Sequence, residues 1–284
     1  MARVIVNGDD FGRSSAINAA IVQGHREGIL TSASLMIGAP AADEAIALAK
    51  KLPSLAVGLH VVCVAGKAVL PHDRIPTITD GAGWFPSSGA RGGWRYFRDP
   101  RARAQLAVEL RAQFERFADS GLPLSHVDGH LHMHVHPIVF TLLTPLLQHF
   151  GARGFRLPRD DVSLALAHER ADATARVTRA TTFGMLSRWC LARMRGSRLS
   201  VVERCYGLLQ SGRMHESYLT RVLHSLRVET AEVYLHPSTR FEGDPLGPNP
   251  QDLEAVVSPA VREALRKSGH ELATYSSLHR AVAA

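Results

Sequence analysis

Ser125-His126-Val127-Asp128-Gly129-His130-Leu131-His132-Met133-His134-Val135-His136-Pro137 concentrates five of the chain's fifteen histidines in eleven positions. All five, and Asp128 with them, fall on even numbers. Side chains alternate between the two faces of an extended backbone, so the parity predicts one face of imidazoles and a carboxylate and one face of apolar residues. Alternate residues on a strand lie about 6 to 7 Å apart. A single metal ion with bonds of ~2.1 Å therefore takes at most one or two ligands from the tract. Any other ligands must come from elsewhere in the chain.

Outward from this stretch, short apolar runs alternate with helical patterns. Residues 3–7 read as a buried strand ending in the polar Gly8-Asp9-Asp10-Phe11-Gly12, and Ser14 or Ser15 can cap a helix that closes at Gly28. Residues 31–37 and 55–62 read as further strands around an alanine-rich helix over 41–51. A fourth strand starts at 124–129, followed by a helix over 137–150 with Ile138, Leu142, Leu146 and Phe150 inward, and a fifth strand at 154–158. Residues 232–237 restore the strand pattern, 251–267 predict a helix, and 271–275 a last strand. Strands alternating with helices of this length indicate βαβ units, a parallel sheet and the α/β class.

Two stretches interrupt the rhythm within what reads as a single domain over 1–284. Residues 64–98 are rich in Gly and Pro yet carry Trp84, Phe85, Trp94, Tyr96 and Phe97, the mark of a functional loop rather than a disordered one. Residues 160–226 read as a helical insertion or cap, with ten arginines between Arg176 and Arg227 against Glu203 and Glu216. There Phe183, Leu186, Cys190 and Met194 recur at near-helical spacing among Arg188, Arg193, Arg195 and Arg198, as in a helix resting on anionic headgroups.

With 45% hydrophobic and 21% charged residues the composition is that of a globular protein, and no apolar run approaches the ~20 residues of a membrane span. The N-terminus turns polar after Val6, which leaves no secretory apolar segment, so the expected location is the cytoplasm, with peripheral contact at the inner membrane face left open. The net charge of +7 permits contact with anionic surfaces. Without zinc-finger spacing, an aromatic RNA-binding signature or a basic recognition helix, no nucleic-acid partner is expected. Oligomeric state is not readable, and a homodimer stays open.

The polar residues of interest recur at strand ends: Asp9 and Asp10, His60, the histidine tract, Arg156 and His236. In parallel α/β barrels the C-terminal strand ends converge on the face that carries the active site. An Asp and two His around one divalent ion leave a position open for water, and a second carboxylate beside it can take a proton, which is what a metal hydrolase needs.

Asn7-Gly8-Asp9-Asp10-Phe11-Gly12, Gly58-Leu59-His60, His126-Val127-Asp128-Gly129-His130-Leu131-His132 and His236-Pro237 resemble, in order and spacing, the YdjC/ChbG-like carbohydrate deacetylases. Within that family, Pro71-His72-Asp73-Arg74-Ile75-Pro76, Trp94-Arg95-Tyr96-Phe97 and Leu208-Leu209-Gln210-Ser211-Gly212-Arg213-Met214 look most like the hopanoid-biosynthesis-associated branch. The family opening has Ala where this chain has Gly8, a small-for-small difference. The resemblance implies a distorted TIM-like (β/α) barrel that removes the acetyl group from an N-acetylated amino sugar with one divalent metal ion. It implies Asp10, His60 and His130 as metal ligands, Asp9 as general base, Arg156 holding Asp9 charged and oriented, and His236 as general acid. His126, Asp128, His132 and His134 then orient ligands or contact the sugar. The branch implies an N-acetylglucosaminyl hopanoid lipid as substrate. Soluble chitooligosaccharides are the rival substrate, and a metal-binding protein without turnover is the rival from another class. Zn²⁺ or Mg²⁺ leads as the metal, with Mn²⁺, Co²⁺ and Ni²⁺ open.

Overall fold

The computed structural model describes residues 1–278. It begins with β1 (Arg3–Phe11), α1 (Ser15–Glu27), β2 (Ser32–Leu35), α2 (Ala42–Lys50) and β3 (Ala56–Val61). A long connection leads to α3 (Gly89–Arg98) and α4 (Pro100–Asp119), then β4 (His126–Gly129), a 3-10 turn over His130–Val135, α5 (Pro137–His149) and β5 (Gly154–Phe155). The second half comprises α6 (Val162–His168), α7 (Ala173–Arg193), β6 (Arg204–Tyr206), α8 (Glu216–Ser225) and β7 (Thr230–Leu235). It closes with α9 (Pro250–Val257), α10 (Pro259–Lys267), β8 (Glu271–Leu272) and α11 (Tyr275–Leu278).

The strands run β5-β4-β3-β2-β1-β7-β6, all in parallel pairs, with β8 against the first residues of β1. A parallel bridge from Gly154 to Ser200 joins β5 to the stretch before β6, so the sheet curls into a distorted (β/α) barrel. Strand alternation divides the residues: Val4 and Val6 pack in the core shared with the helices, while Ile5 meets Cys205, Tyr234 and Tyr275 inside the barrel. Toward the C-terminal strand ends the interior turns polar, with Asn7, Ser34, His126, Asp128, Arg156 and Glu232 all fully buried. Two inward positions are necessarily glycine, because a Cβ on Gly58 would collide with the His126 ring and one on Gly154 with the Tyr275 ring.

The structure corrects several expectations. The histidine tract is extended only through Gly129, so the parity argument holds for His126 and Asp128 and fails beyond them. Leu131 and His132 adopt positive φ of 50° and 55°, folding the rest into the 3-10 turn. The loop over 64–98 contains α3, capped by Ser88. Residues 160–226 are not an insertion throughout, because β6 belongs to the sheet and pairs with β7. In α5 the buried residues are Val139, Phe140, Leu143, Leu146 and Leu147 rather than the stripe through Ile138 and Leu142. The helix over 251–267 is two helices, with Ser258 capping α10 and Pro259 in its first turn, where a missing N–H does no harm. On α7, Phe183 and Leu186 pack against the core and Cys190 is buried, as is Met194 just past the helix end, so that stripe is covered by the protein itself. Among the described residues no helix is long and apolar enough to cross a membrane.

Candidate active site

Adjacent residues of a regular strand point to opposite faces, yet Asp9 and Asp10 both line one cavity. The local backbone explains this: Asp10 has φ 64°, and the register of β1 against β2 shifts between Gly8 and Phe11. A bulge re-aims a side chain, and a non-glycine residue in the left-handed region costs on the order of 1 kcal/mol or more, which the surrounding structure must offset. Leu131 and His132, also left-handed, line the same cavity.

The Asp10 Oδ1 atom lies 3.2 Å from His130 Nδ1 and 3.5 Å from His60 Nε2. The three residues are buried and each offers a ligand atom within 4.8 Å of the others. A tetrahedral ion with bonds of ~2.1 Å separates its ligands by roughly 3.4 Å, so this set fits a divalent cation. The other Asp10 oxygen accepts from Arg13 Nη1 at 2.8 Å. Burial opposes the Asp10 carboxylate, but His130, His236 and His60 outweigh it and hold its pKa well below the ordinary value. Asp128 Oδ1 takes His60 Nδ1 at 2.8 Å, which leaves His60 Nε2 free to face Asp10. Burial lowers the His60 pKa, yet Asp128 with Asp9 and Asp10 raises it to about 9, so in the absence of a cation His60 is a proton-bearing partner of this acidic site. A second grouping, Asp9, His60 and Asp128, is also compact enough for an ion. There the place of a cation is taken by Arg156, whose guanidinium meets both carboxylates at 2.6–2.8 Å.

Arg156 grips Asp9 with two parallel bonds, Nη1 to Oδ2 at 2.7 Å and Nη2 to Oδ1 at 2.8 Å. Asn7 Nδ2 adds a bond to Oδ1 at 2.7 Å. Ser34 Oγ donates to Asp128 Oδ2 at 2.8 Å and receives Asn7 Nδ2 at 2.8 Å, with His126 Nε2 at 3.0 Å. One donor and two acceptor directions of the hydroxyl are then in use, which assigns the His126 proton to Nε2. His236 puts Nε2 4.0 Å from Asp9 Oδ2, and its backbone N–H is anchored on Asp252 at 2.9 Å.

The cavity holds about 220 Å³. Asp9, Asp10, His60 and His130 form its polar end, and Phe183, Leu208 and Tyr234 contribute walls. Of the residues expected to contact sugar, only His132 lines it, with Nε2 2.8 Å from the Tyr234 hydroxyl. His126, Asp128 and His134 are completely buried beneath the cavity, so their contacts are with the protein: Ser34, His60 and the Arg156 carbonyl, the last 3.1 Å from His134 Nε2. Burial lowers the His134 pKa to about 4 and also lowers that of His126, so both rings are neutral packing elements near pH 7.

Sequence reasoning did not single out Asn7, Arg13, Ser34, Glu232 or Tyr234. Glu232 and Tyr234 precede His236 at steps of two on β7. The same parity reading that opened the histidine tract applies to them and would have found both.

The chain is similar to three groups of known proteins. A carbohydrate deacetylase of Geobacillus stearothermophilus is 40% identical over 167 residues, covering 56% of this chain and 64% of that protein. One from Brevibacillus brevis is 39% identical over 151 residues, covering 52% and 56%. A chitooligosaccharide deacetylase of Salmonella dublin is 37% identical over 166 residues, covering 56% and 60%. The matched part thus spans less than two thirds of the length of each relative. Among solved structures, a candidate cellobiose-phosphate cleavage protein from Enterococcus faecalis superposes with a TM-score of 0.76 at 21% identity, over 98% of this chain and 99% of its own. That likeness carries the fold. The family described as YdjC-like protein matches residues 3–267. With nearly the whole barrel matched, the chain belongs to the YdjC-like family.

Proposed function

We propose that the chain is a metal-dependent N-deacetylase that hydrolyses the acetamide of an N-acetylglucosaminyl sugar carried on a hopanoid lipid. One observation carries the reading: Asp10, His60 and His130 converge on a cation-sized site beside Asp9, a carboxylate bound to arginine and left outside the ligand set. A storage or scaffolding site has no use for such a base. The names of the relatives, carbohydrate deacetylase and chitooligosaccharide deacetylase, support the same chemistry.

A divalent ion held by Asp10, His60 and His130 would supply Lewis-acid polarisation of the amide carbonyl and lower the pKa of water. The chain's own residues do the proton work. Asp9 Oδ1 has both acceptor directions used by Asn7 and Arg156, whereas among the described residues Oδ2 accepts only from Arg156 Nη1 and keeps one direction free. Oδ2 is therefore the atom that takes the proton as water oxygen bonds to the acetyl carbon. His236, 4.0 Å away, donates the proton that the nitrogen needs as the C–N bond breaks, and acetate and a free amine leave. Arg156 keeps Asp9 oriented throughout, and Asp128 fixes the His60 ring.

The lipid-linked substrate is supported by the apolar rim, where Leu131 is 49% and Leu246 48% exposed at the cavity mouth. The Salmonella dublin relative favours a second reading, a soluble chitooligosaccharide. Acetate release from both acceptor types, with metal analysis of the purified protein, tests these readings. Release from the lipid acceptor supports the first, and release from soluble oligosaccharide alone replaces it with the second. Bound metal with no release from either would overturn both in favour of a metal-binding protein.

A further inference from the structure

The guanidinium that holds Asp9 is itself held from behind. Glu232, fully buried on β7, receives Arg156 Nε at 3.0 Å and Nη2 at 2.8 Å on Oε1. With Nη1 shared between Asp9 and Asp128 and Nη2 reaching Asp9, all five N–H donors of Arg156 have carboxylate partners. The Tyr234 ring lies 4.5 Å from its carbon and covers one face. Glu232 in turn has its other oxygen, Oε2, fixed by the Tyr275 hydroxyl at 2.6 Å, and among the described residues otherwise meets only the Cys205 thiol at 3.6 Å.

Tyr275 belongs to the C-terminal segment, beyond the region that carries the family match. It is fully buried, and its place is reserved by Gly154, where any side chain would strike the ring. The same ring stacks on His126 at 4.9 Å, and His126 reaches Asp128 through Ser34. One tyrosine thus underlies two chains of contacts, one through Glu232 and Arg156 to Asp9, the other through His126, Ser34 and Asp128 to His60. Phenylalanine would fill the same space, so what tyrosine adds at this position is the hydroxyl and its 2.6 Å bond to the buried Glu232 carboxylate.

We propose that Tyr275 and Glu232 are positioning residues for the deacetylation site: Tyr275 fixes Glu232, Glu232 fixes Arg156, and Arg156 presents the free direction of Asp9 Oδ2 to water. This rests on the reading of Asp9 as general base. No atom of Tyr275 or Glu232 lines the cavity, so their loss acts on turnover and leaves substrate affinity alone.

Tyr275→Phe retains the ring against His126 and Gly154 and removes only the hydroxyl. The expected result is a kcat lower by about tenfold with KM, metal content and Tm close to wild type, and a larger kcat loss of about 100-fold in Glu232→Gln, in the range seen when a partner behind a functional group is removed. An independent readout is the Arg156 Nε–H resonance in ¹⁵N-edited spectra, assigned by its disappearance in Arg156→Lys. It should shift and exchange faster with water in Tyr275→Phe. Unchanged kcat in an active protein, or a fall in Tm and metal content with a rise in KM in both variants, would overturn the proposal in favour of a packing role. If the wild-type protein releases no acetate, the deacetylase reading fails, while the resonance still decides the linkage: an unmoved signal overturns it whatever the reaction.

Discussion

Asp9 at the inner end of the cavity and Arg156 and Asp128 beneath it are at most 2% exposed, and each is tied by bonds of 2.6–2.8 Å. Leu131 and Leu246 at its mouth are about half exposed, at 49% and 48%, and lie on a 3-10 turn and a loop. The inner end stands on β1, β3, β4 and β7, with Arg156 just past β5, and the parallel register sets each side chain against the next. At the rim the backbone is held, Leu246 O accepting from Ser211 Oγ at 2.7 Å and Leu246 N donating to Asp244 Oδ1 at 3.0 Å, while the leucine side chains stay half exposed. A pre-organised polar floor suits stabilisation of charge during reaction, because its dipoles need not reorganise, whereas a half-exposed apolar rim suits recognition of a substrate's unreactive part. Substitutions on the floor should therefore change metal binding or kcat, and those on the rim should change KM.

The largest effect separates the two regions outright. Asp10→Ala and His130→Ala should each lose bound metal, read by elemental analysis, and acetate release with it. A variant that keeps both would remove that residue from the ligand set. Asp9→Asn should lower kcat by about 10²- to 10⁴-fold, the usual weight of a general base, with metal retained. Near-normal turnover there would end the base assignment and reduce Asp9 to a partner of Arg156.

Asp128→Asn should weaken metal binding by about 10- to 100-fold, since Asp128 orients His60 without touching the cavity. Measured affinity equal to wild type would mean that ring packing alone aims His60. The buried imidazole of His134 makes the floor sensitive to acid. Burial depresses its pKa from 6.5 to about 4, so the unfolded chain binds the extra proton first, and stability present above pH 6.5 is lost as the pH falls toward 4. That loss amounts to about 3 kcal/mol, and Tm measured over this range should fall less steeply in His134→Gln. Parallel curves for the two proteins would assign the acid sensitivity to other groups.

The smallest effect belongs to the rim. Leu131→Ser or Leu246→Ser should raise KM for a lipid-linked acceptor a few-fold, roughly the 1 kcal/mol of partial burial of one apolar side chain, with kcat and Tm unchanged. A fall in kcat instead would show that the rim also orders the reacting group, and the contrast between the two regions would weaken.

Much of the floor was legible because its residues obey strand parity. Asp9, His60, Asp128 and His236 stand at the ends of runs whose apolar content marks them as strands, and in a parallel barrel such ends converge. The bulge that turns Asp10 beside Asp9 was not legible, since an Asp-Asp pair reads equally well as a turn. Neither was the break after Gly129, because His130 to His136 keep the even spacing of a strand while Leu131 and His132 take left-handed angles no spacing can reveal. The place of residues 204–206 in the sheet is hidden for a similar reason. β6 has only three residues, and its strand character comes from pairing with β7 rather than from its own composition.

The amino-acid sequence alone determined the α/β alternation, the strand ends at which polar residues gather, and the motifs that carry the family. Those are local properties, written in hydrophobic period and residue type. Only the tertiary structure decided which histidines face the cavity, which lie beneath it, and that Glu232 and Tyr275 stand behind Arg156. Arg156 and Glu232 are 76 positions apart, and Tyr275 lies a further 43 along the chain. Contacts across such distances arise from closure of the barrel, which buries charged groups so deeply that each must find its partner inside.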